Sequence, residues 1–431
     1  MRRWLVCVGS SLLMAGSALQ ALAQDPAQQP SASPTQITMP PAEPDPPTHG
    51  ILGEPRWLKS AILDVIHHSS RVPEQKDGFY PGLGVDIPSA GWISAGPGFR
   101  HHLGDEALLF DASAAVSWKE FTTAQARTTA AVFDGRLNLG VHALWQDCTQ
   151  VNYFGPAASS SLGKRSEFGL RAGDYTVSAA TAVHGGWSAE FRTGLLDGLQ
   201  VLAPSGWHDP GFPDARTLFT DRTTPGLDRQ PSFWHTDLVV TADTLNHQDH
   251  PSRGWALQAA ASAYRDRDFG EFSFERYELN AIEIIPIMRA LWLLAVRESA
   301  VMTTPLAGNQ VPFYLEPSLG GQNALRGYLD NRFQDRDVAA LNVESRWLVF
   351  AHLDAAIFLD AGQAAGAVRE FSTAGTKTSY GFGLRLHTGA DTLVRVDLAR
   401  GSEGWRVSAG LSDPLLFSTF KHWAAVVPIT P

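Results

Sequence analysis

From residue 79 onward the chain repeats one pattern, apolar side chains at every second position with small, polar or charged ones between them. Tyr380, Phe382, Leu384 and Leu386 alternate with Gly381, Gly383, Arg385 and His387; Val394, Val396 and Leu398 alternate with Arg395, Asp397 and Ala399. Trp405, Val407, Ala409 and Leu411 alternate with Arg406, Ser408, Gly410 and Ser412, and Trp234, Leu238, Val240 and Ala242 with His235, Asp237, Thr241 and Asp243. A period of two belongs to a strand whose two faces meet different surroundings. A soluble sandwich alternates as well, so three further features decide. The segments often run to ten residues or more, the polar face carries Arg, Asp, Glu and His, and aromatics gather at segment ends; together these mark a transmembrane barrel. No apolar run after residue 78 reaches the roughly 20 residues that a membrane helix needs. The best candidate, 281–296, is interrupted by Glu283, Pro286 and Arg289 and reads as two strands joined at Arg289-Ala290. In hydrocarbon every backbone group must pair within the protein, which leaves helices or a closed sheet.

Turn signals divide this region into strands near 79–87, 91–102, 106–119, 122–133, 136–148, 165–183, 187–201, 231–245, 254–267, 271–287, 290–304, 338–350, 353–362, 378–388, 391–400 and 404–415. That is sixteen, an even number as in bacterial barrels. With the amino terminus in the periplasm, the short turns Asp134-Gly135, Gly185-Gly186 and Arg289-Ala290 all fall on the periplasmic side, and the long connections 149–164, 202–230 and 305–337 all fall outside. The predicted fold class is all-β: a sixteen-stranded transmembrane antiparallel β-barrel over residues 79–417, with one extracellular loop folded inward.

The ends of the chain read differently. Residues 1–23 have the form of a signal peptide, with Arg2 and Arg3 before an apolar run from Trp4 to Ala18 and Ala21-Leu22-Ala23 as a cleavage site. Export to the outer membrane of a Gram-negative cell follows. Residues 24–49 are a Pro-rich flexible linker. Residues 50–78 suit a short helical periplasmic segment, in which Trp57, Leu58, Ile62, Leu63 and Ile66 share one face after Pro55. The tail 418–431, with Phe420 and Trp423, suits the periplasmic membrane surface.

Composition removes several classes of function. The net charge of −10 comes from 44 acidic and 34 basic residues without a basic block, so no nucleic-acid partner is expected. Of the two cysteines Cys7 lies in the leader, which leaves Cys148 without a mate and excludes both a disulfide framework and a Cys-rich zinc site. The pairs His67-His68, His101-His102 and His247 with His250 have no carboxylate or thiol framework at ligand spacing, so neither metal nor cofactor is expected. Ser and His are plentiful, yet no nucleophile elbow is present; the chain does not read as an enzyme and offers no catalytic residues.

One loop stands apart. The connection 305–337 holds Leu319-Gly320-Gly321-Gln322-Asn323-Ala324-Leu325-Arg326-Gly327-Tyr328, an arginine between apolar neighbours behind a pair of glycines. Gly320 and Gly321 permit a tight fold, so the loop can turn back into the lumen and present Arg326 to the wall. A buried guanidinium needs carboxylates. Alternation puts Leu341, Val343, Trp347 and Val349 on the lipid face and Asn342, Glu344 and Arg346 inward; on the next strand Leu353, Ala355, Ile357 and Leu359 face lipid and Asp354, Phe358 and Asp360 face inward. Glu344 and Asp360 therefore share a lumenal face on adjacent strands.

On the loop tip Leu325-Arg326-Gly327-Tyr328, the strand Asn342-Val343-Glu344-Ser345-Arg346, the strand Phe358-Leu359-Asp360-Ala361-Gly362 and Tyr153-Phe154-Gly155, the chain resembles the BamA/TamA superfamily of outer-membrane barrels, also called the bacterial surface antigen family. The resemblance covers roughly residues 79–417. It implies that the loop tip is tucked into the lumen with Arg326 paired to Glu344 and Asp360, and that first and last strands meet at a weak seam able to template an incoming strand. Gly82, Gly84 and Gly91 near the first strand and Gly401, Gly404 and Gly410 near the last suit such a seam, and equally suit barrel corners. The chain departs from the family pattern in one respect. Residues 24–78 offer 55 positions, too few and too irregular for even one POTRA repeat, so this is a POTRA-less member. The implied function is insertion or translocation of polypeptide, or of lipid, at the outer membrane. The implied partners are the lipid bilayer, unfolded outer-membrane or secreted polypeptide, and a separate periplasmic accessory protein. A passive diffusion pore or a structural barrel is the alternative.

Overall fold

A computed structural model describes residues 50–53, 55, 59–60, 77–83, 94–104, 107–206, 212–247, 250–288, 291–322, 324–388 and 391–416. The expected leader, linker and tail, and most of the expected helical segment, lie outside these residues. The chain runs through β1 (Gly78–Leu83), β2 (Ser94–Leu103), β3 (Leu108–Ser117), β4 (Thr122–Val132), β5 (Leu137–Tyr153) and β6 (Ser166–Ala182). It continues through β7 (Trp187–Leu202), β8 (Phe233–Asp243), β9 (Gly254–Asp266), β10 (Phe274–Pro286) and β11 (Trp292–Pro305). Two short strands within the next loop, β12 (Ser318–Leu319) and β13 (Phe333–Gln334), pair only with each other. The wall resumes with β14 (Asp337–Phe350), β15 (Leu353–Ala365), β16 (Lys377–His387), β17 (Thr392–Gly401) and β18 (Gly404–Gly410). Apart from β12 and β13, each strand pairs antiparallel with its neighbours in the sequence, giving one sixteen-stranded sheet from β1 to β18.

The two faces are inverted relative to a water-soluble sheet. On β16, Phe382 is 60% exposed while Arg385 is fully buried. Leu238, Leu359 and Val407 point outward in the same way, and Asp237, Asp360 and Arg395 point inward. Apolar groups outside and charges within are stable only where the outside is hydrocarbon, so the sheet is a transmembrane barrel wall with a polar lumen.

Strand length is uneven around the wall. β5 and β6 have 17 residues each and β7 has 16, whereas the two edge strands β1 and β18 have six and seven. At about 3.4 Å per residue, 17 residues extend roughly 58 Å, well beyond the 9–11 residues that span a bilayer. The surplus carries an aromatic core above the membrane. Tyr153 lies 4.9 Å from both Phe219 and Phe313, and Phe168 lies 4.8 Å from Phe313, ring centre to ring centre. The loops 154–165, 203–232 and 306–336 thereby close over the extracellular end, joined by Phe121, Leu227, Phe233 and Tyr314.

One expectation needs correction. The last strand does not run to residue 415. It ends at Gly410, because Pro414 has no N–H to donate and the Asp413 carboxylate is held by Arg346 inside the barrel. Leu415 follows it inward and packs on Ala256, Ile282, Ile284, Leu293 and Ala295. At the other end, ahead of the expected helical face, Ile51 N–H donates to Leu348 O and Leu52 N–H to Val349 O, both at 2.9 Å. They lie along the periplasmic end of β14, and Lys59 N–H donates to Pro55 O at 3.1 Å.

Leu238 sits midway along β8 on the lipid face. Replacing it with Arg should destabilise the barrel by about 2–4 kcal/mol in unfolding titrations from lipid vesicles, whereas Leu238→Ile should change little.

Candidate functional site

The loop 306–336 leaves β11, forms the β12–β13 pair and turns at its tip back into the lumen. Gly320 takes φ +123°, and a Cβ there would stand 2.1 Å from Leu329 O. The Gly321 N–H donates to Tyr328 O at 3.2 Å and Tyr328 N–H to Leu325 O at 3.0 Å, which closes the tip into a tight turn. Leu319, Ala324, Leu325, Tyr328 and Phe333 pack on Val301, Val338 and Ala340 of the wall. The Tyr328 hydroxyl donates to Thr378 O at 3.1 Å and accepts from Ser402 N–H at 3.2 Å. Gly327 comes so close to the wall that a Cβ would lie 2.5 Å from Gly401 N and 2.6 Å from Ser379 Cβ. Only glycine fits this contact between the two backbones.

Arg326 lies between these packed residues, 2% exposed. Its Nη1 donates to Glu344 Oε2 at 2.5 Å, its Nη2 to Asp360 Oδ1 at 2.7 Å, and its Nε and backbone N to Asp360 Oδ2, both at 3.1 Å. The guanidinium also lies over the Phe358 ring, 3.4 Å from its centre, where the π face attracts a cation. Asp360 accepts further bonds from Asn342 Nδ2 at 2.9 Å and Ser379 Oγ at 3.0 Å, and Asn342 donates to Ala324 O at 2.7 Å. The fork of Arg matches a carboxylate in a way that Lys does not.

These three residues are the centre of a larger cluster. Glu344 also accepts from Arg346 Nε at 2.7 Å and from Arg385 Nη2 at 3.1 Å. Arg385 reaches Asp397 at 2.7 Å, Arg395 reaches the same carboxylate at 2.9 Å, and Arg346 reaches Asp413 at 2.9 Å. Four guanidinium groups, of Arg326, Arg346, Arg385 and Arg395, thus face four carboxylates, of Glu344, Asp360, Asp397 and Asp413, all of them buried. Arg297 on β11 is buried beside them. Higher in the same loop, burial pushes the Glu316 carboxyl well above the usual carboxylate range, and neighbouring Asp335 pushes it further.

Sequence reasoning named Arg326, Glu344, Asp360 and the inward positions Asn342, Arg346 and Phe358, and the structure brings all six together. It did not connect Arg385, Arg395 and Asp397, although alternation had placed them on the polar face. The available signal was their position near one another on adjacent strands, β16 and β17, where Arg385 faces Arg395 directly. Two facing arginines require a carboxylate between them. Asp413 had no such signal, because the strand was expected to continue through it.

Removing the Arg326 guanidinium leaves Asp360 and Glu344 undercompensated in a buried site. Arg326→Ala should therefore weaken the anchored loop by about 3–5 kcal/mol, read as protease cleavage within 306–336 and as changed conductance in planar bilayers. Gly327→Val should produce the same cleavage by forcing the tip away from Gly401, although no charge is removed.

Residues 219–410 match the model of the Omp85 superfamily domain. No curated protein matches the chain by sequence. Among solved structures the chain is similar to BamA from Haemophilus ducreyi lacking POTRA domains 1-3, with TM-score 0.57 and 14% identity over 78% of this chain and 70% of that one. It also aligns with CdiB from Escherichia coli, with TM-score 0.49 and 12% identity over 78% of this chain and 62% of that one. With CdiB from Acinetobacter baumannii the TM-score is 0.47 and the identity 11%, over 77% of this chain and 58% of that one. At 14% identity the BamA likeness is one of fold. The matched residues 219–410 contain the inward loop, Arg326, Glu344, Asp360 and Asp397.

Proposed function

We propose that this protein is a non-enzymatic outer-membrane barrel that aids insertion or translocation of polypeptide, with the Arg326 cluster in a conformational role. The observation that carries this reading is the sheet's pair of short edges. Among the described residues β1 and β18 are the shortest strands of the wall, and no ladder joins them. An edge exposes a row of backbone N–H and C=O groups that can pair with an incoming strand of any sequence. Pro81 within β1 removes one donor, in keeping with an edge position. Opening at this seam would give a nascent strand both a template and access to lipid.

The remaining roles follow from that arrangement. Arg326, Glu344 and Asp360 fix the loop, while Gly320, Gly321, Leu325, Gly327 and Tyr328 shape its tip against the strands next to the seam. In this reading a separate periplasmic protein delivers the substrate. Outer-membrane lipid is the second partner, and lipid is also a possible cargo. A passive pore is the competing reading, favoured by the polar lumen. The inward loop and the segment 411–416, both within the barrel, count against it.

The test is to place the mature protein in liposomes and time the folding of an added unfolded barrel protein, with photo-crosslinkers at Phe79 on β1, Val407 on β18 and Leu238 on β8. Several-fold faster folding, with substrate crosslinked from the two edges and not from β8, is the expected result. Unchanged folding accompanied by steady ion conductance would replace this reading with the pore.

A further inference from the structure

In the connection between β8 and β9, the described residues 244–247 and 250–253 are tied together by hydrogen bonds. Asn246 Oδ1 accepts from Ser252 N–H at 3.0 Å, Asn246 Nδ2 donates to Ser252 Oγ at 3.0 Å, and Thr244 Oγ1 donates to Trp255 O at 2.8 Å. Leu245 of this turn packs with Leu415 on the lumenal residues Ile282, Ile284 and Leu293. The turn therefore folds under the lumen and carries His250 to strands four to six places beyond β9 in the sheet order, where it meets Asp354 of β15, His387 of β16 and Thr392 of β17.

The three ionisable residues are buried and converge. Asp354 Oδ2 lies 3.2 Å from His250 Nε2, and Asp354 Oδ1 lies 3.4 Å from His387 Nε2. One ligand atom from each lies within 4.8 Å of the others. An ion bound tetrahedrally at about 2.0–2.1 Å has ligand atoms about 3.3–3.4 Å apart, and each imidazole stands at that separation from one of the two Asp354 oxygens. The imidazoles stack at 4.0 Å and 13°, which disfavours two imidazolium charges; because ring lone pairs lie in the ring planes, a shared ion requires one of these near-parallel rings to turn toward it. His250 Nδ1 is 3.2 Å from Thr392 Oγ1. With the Nδ1 proton given to that hydroxyl, Nε2 keeps its lone pair, which is the outer-shell arrangement of metal-bound histidines. The nearby charge of Arg346 is already matched by Glu344 and Asp413.

We propose that His250, Asp354 and His387 form a site for a divalent transition-metal ion of the zinc class, fastening the β8–β9 turn across the periplasmic mouth of the barrel. Two imidazole nitrogens and a carboxylate oxygen suit zinc, with water as the fourth ligand. The sequence conceals the site because His250 lies more than a hundred positions before Asp354 and His387 and only the barrel's curvature brings them together.

The untagged mature protein, folded in detergent micelles and stripped of metal, is titrated with Co2+ as a spectroscopic probe. The expected result is one Co2+ per chain with the intense visible absorption of a four-coordinate ion, displaced by Zn2+ and absent from His250→Ala and His387→Ala. Zn2+ should also raise the unfolding temperature of the wild type and of His101→Ala, and leave His250→Ala unmoved. Heat-modifiable gel mobility identifies folded samples, and His250→Ala, altered in a turn, decides the matter if His387→Ala does not fold. Wild type without that absorption, or His250→Ala with it, overturns the proposal.

Discussion

A guanidinium group shut inside a membrane barrel must be met by carboxylates, and much of the interior of this protein follows from that demand. Arg326 arrives on a loop, so its partners have to stand on the wall at one height and face inward together. Glu344 and Asp360 do so on β14 and β15. Glu344 in turn holds two further arginines, which bring Asp397 and Asp413 into the same cluster. Each charge is tolerable because the next one is present, and removing any member leaves a buried partner uncompensated. Such a cluster adds little net stability compared with an apolar core, but it specifies one position for the loop.

The outer surface obeys the opposite rule. Leu238, Leu359, Phe382 and Val407 are exposed because lipid is their solvent, and the backbone is satisfied by the ladder between strands rather than by water. Above the membrane this constraint lapses. There β5, β6 and β7 continue, and an ordinary aromatic core forms around Tyr153, Phe168 and Phe313. The barrel is therefore a lipid-facing wall that supports a small soluble-type domain at its extracellular end.

Much of this was legible in the sequence because a period of two assigns each residue to a face without knowledge of any partner. That is enough to count sixteen strands and to place Glu344 and Asp360 on one side of adjacent strands. What period two does not contain is the register between strands or the path of segments that leave the wall. Arg385 and Arg395 read as polar positions, but their direct opposition across β16 and β17 is a property of register. Asp413 read as the continuation of a strand, since alternation has no term for the pull of Arg346. His250 lay in a turn, and a turn's reach across a lumen depends on closure of the whole sheet.

The contact at Gly327 has a mechanical meaning. The loop tip touches β17 backbone to backbone at Gly401, and Tyr328 holds Ser402 in the tight turn between β17 and β18. β18 is the edge of the sheet, so the loop grips the last hairpin directly while Glu344 and Asp360 tie it to the strands behind. A sideways swing of that hairpin into the bilayer must either drag the loop with it or shear this contact. The state of the lumen and the state of the edge are in this way linked through a single glycine-sized gap.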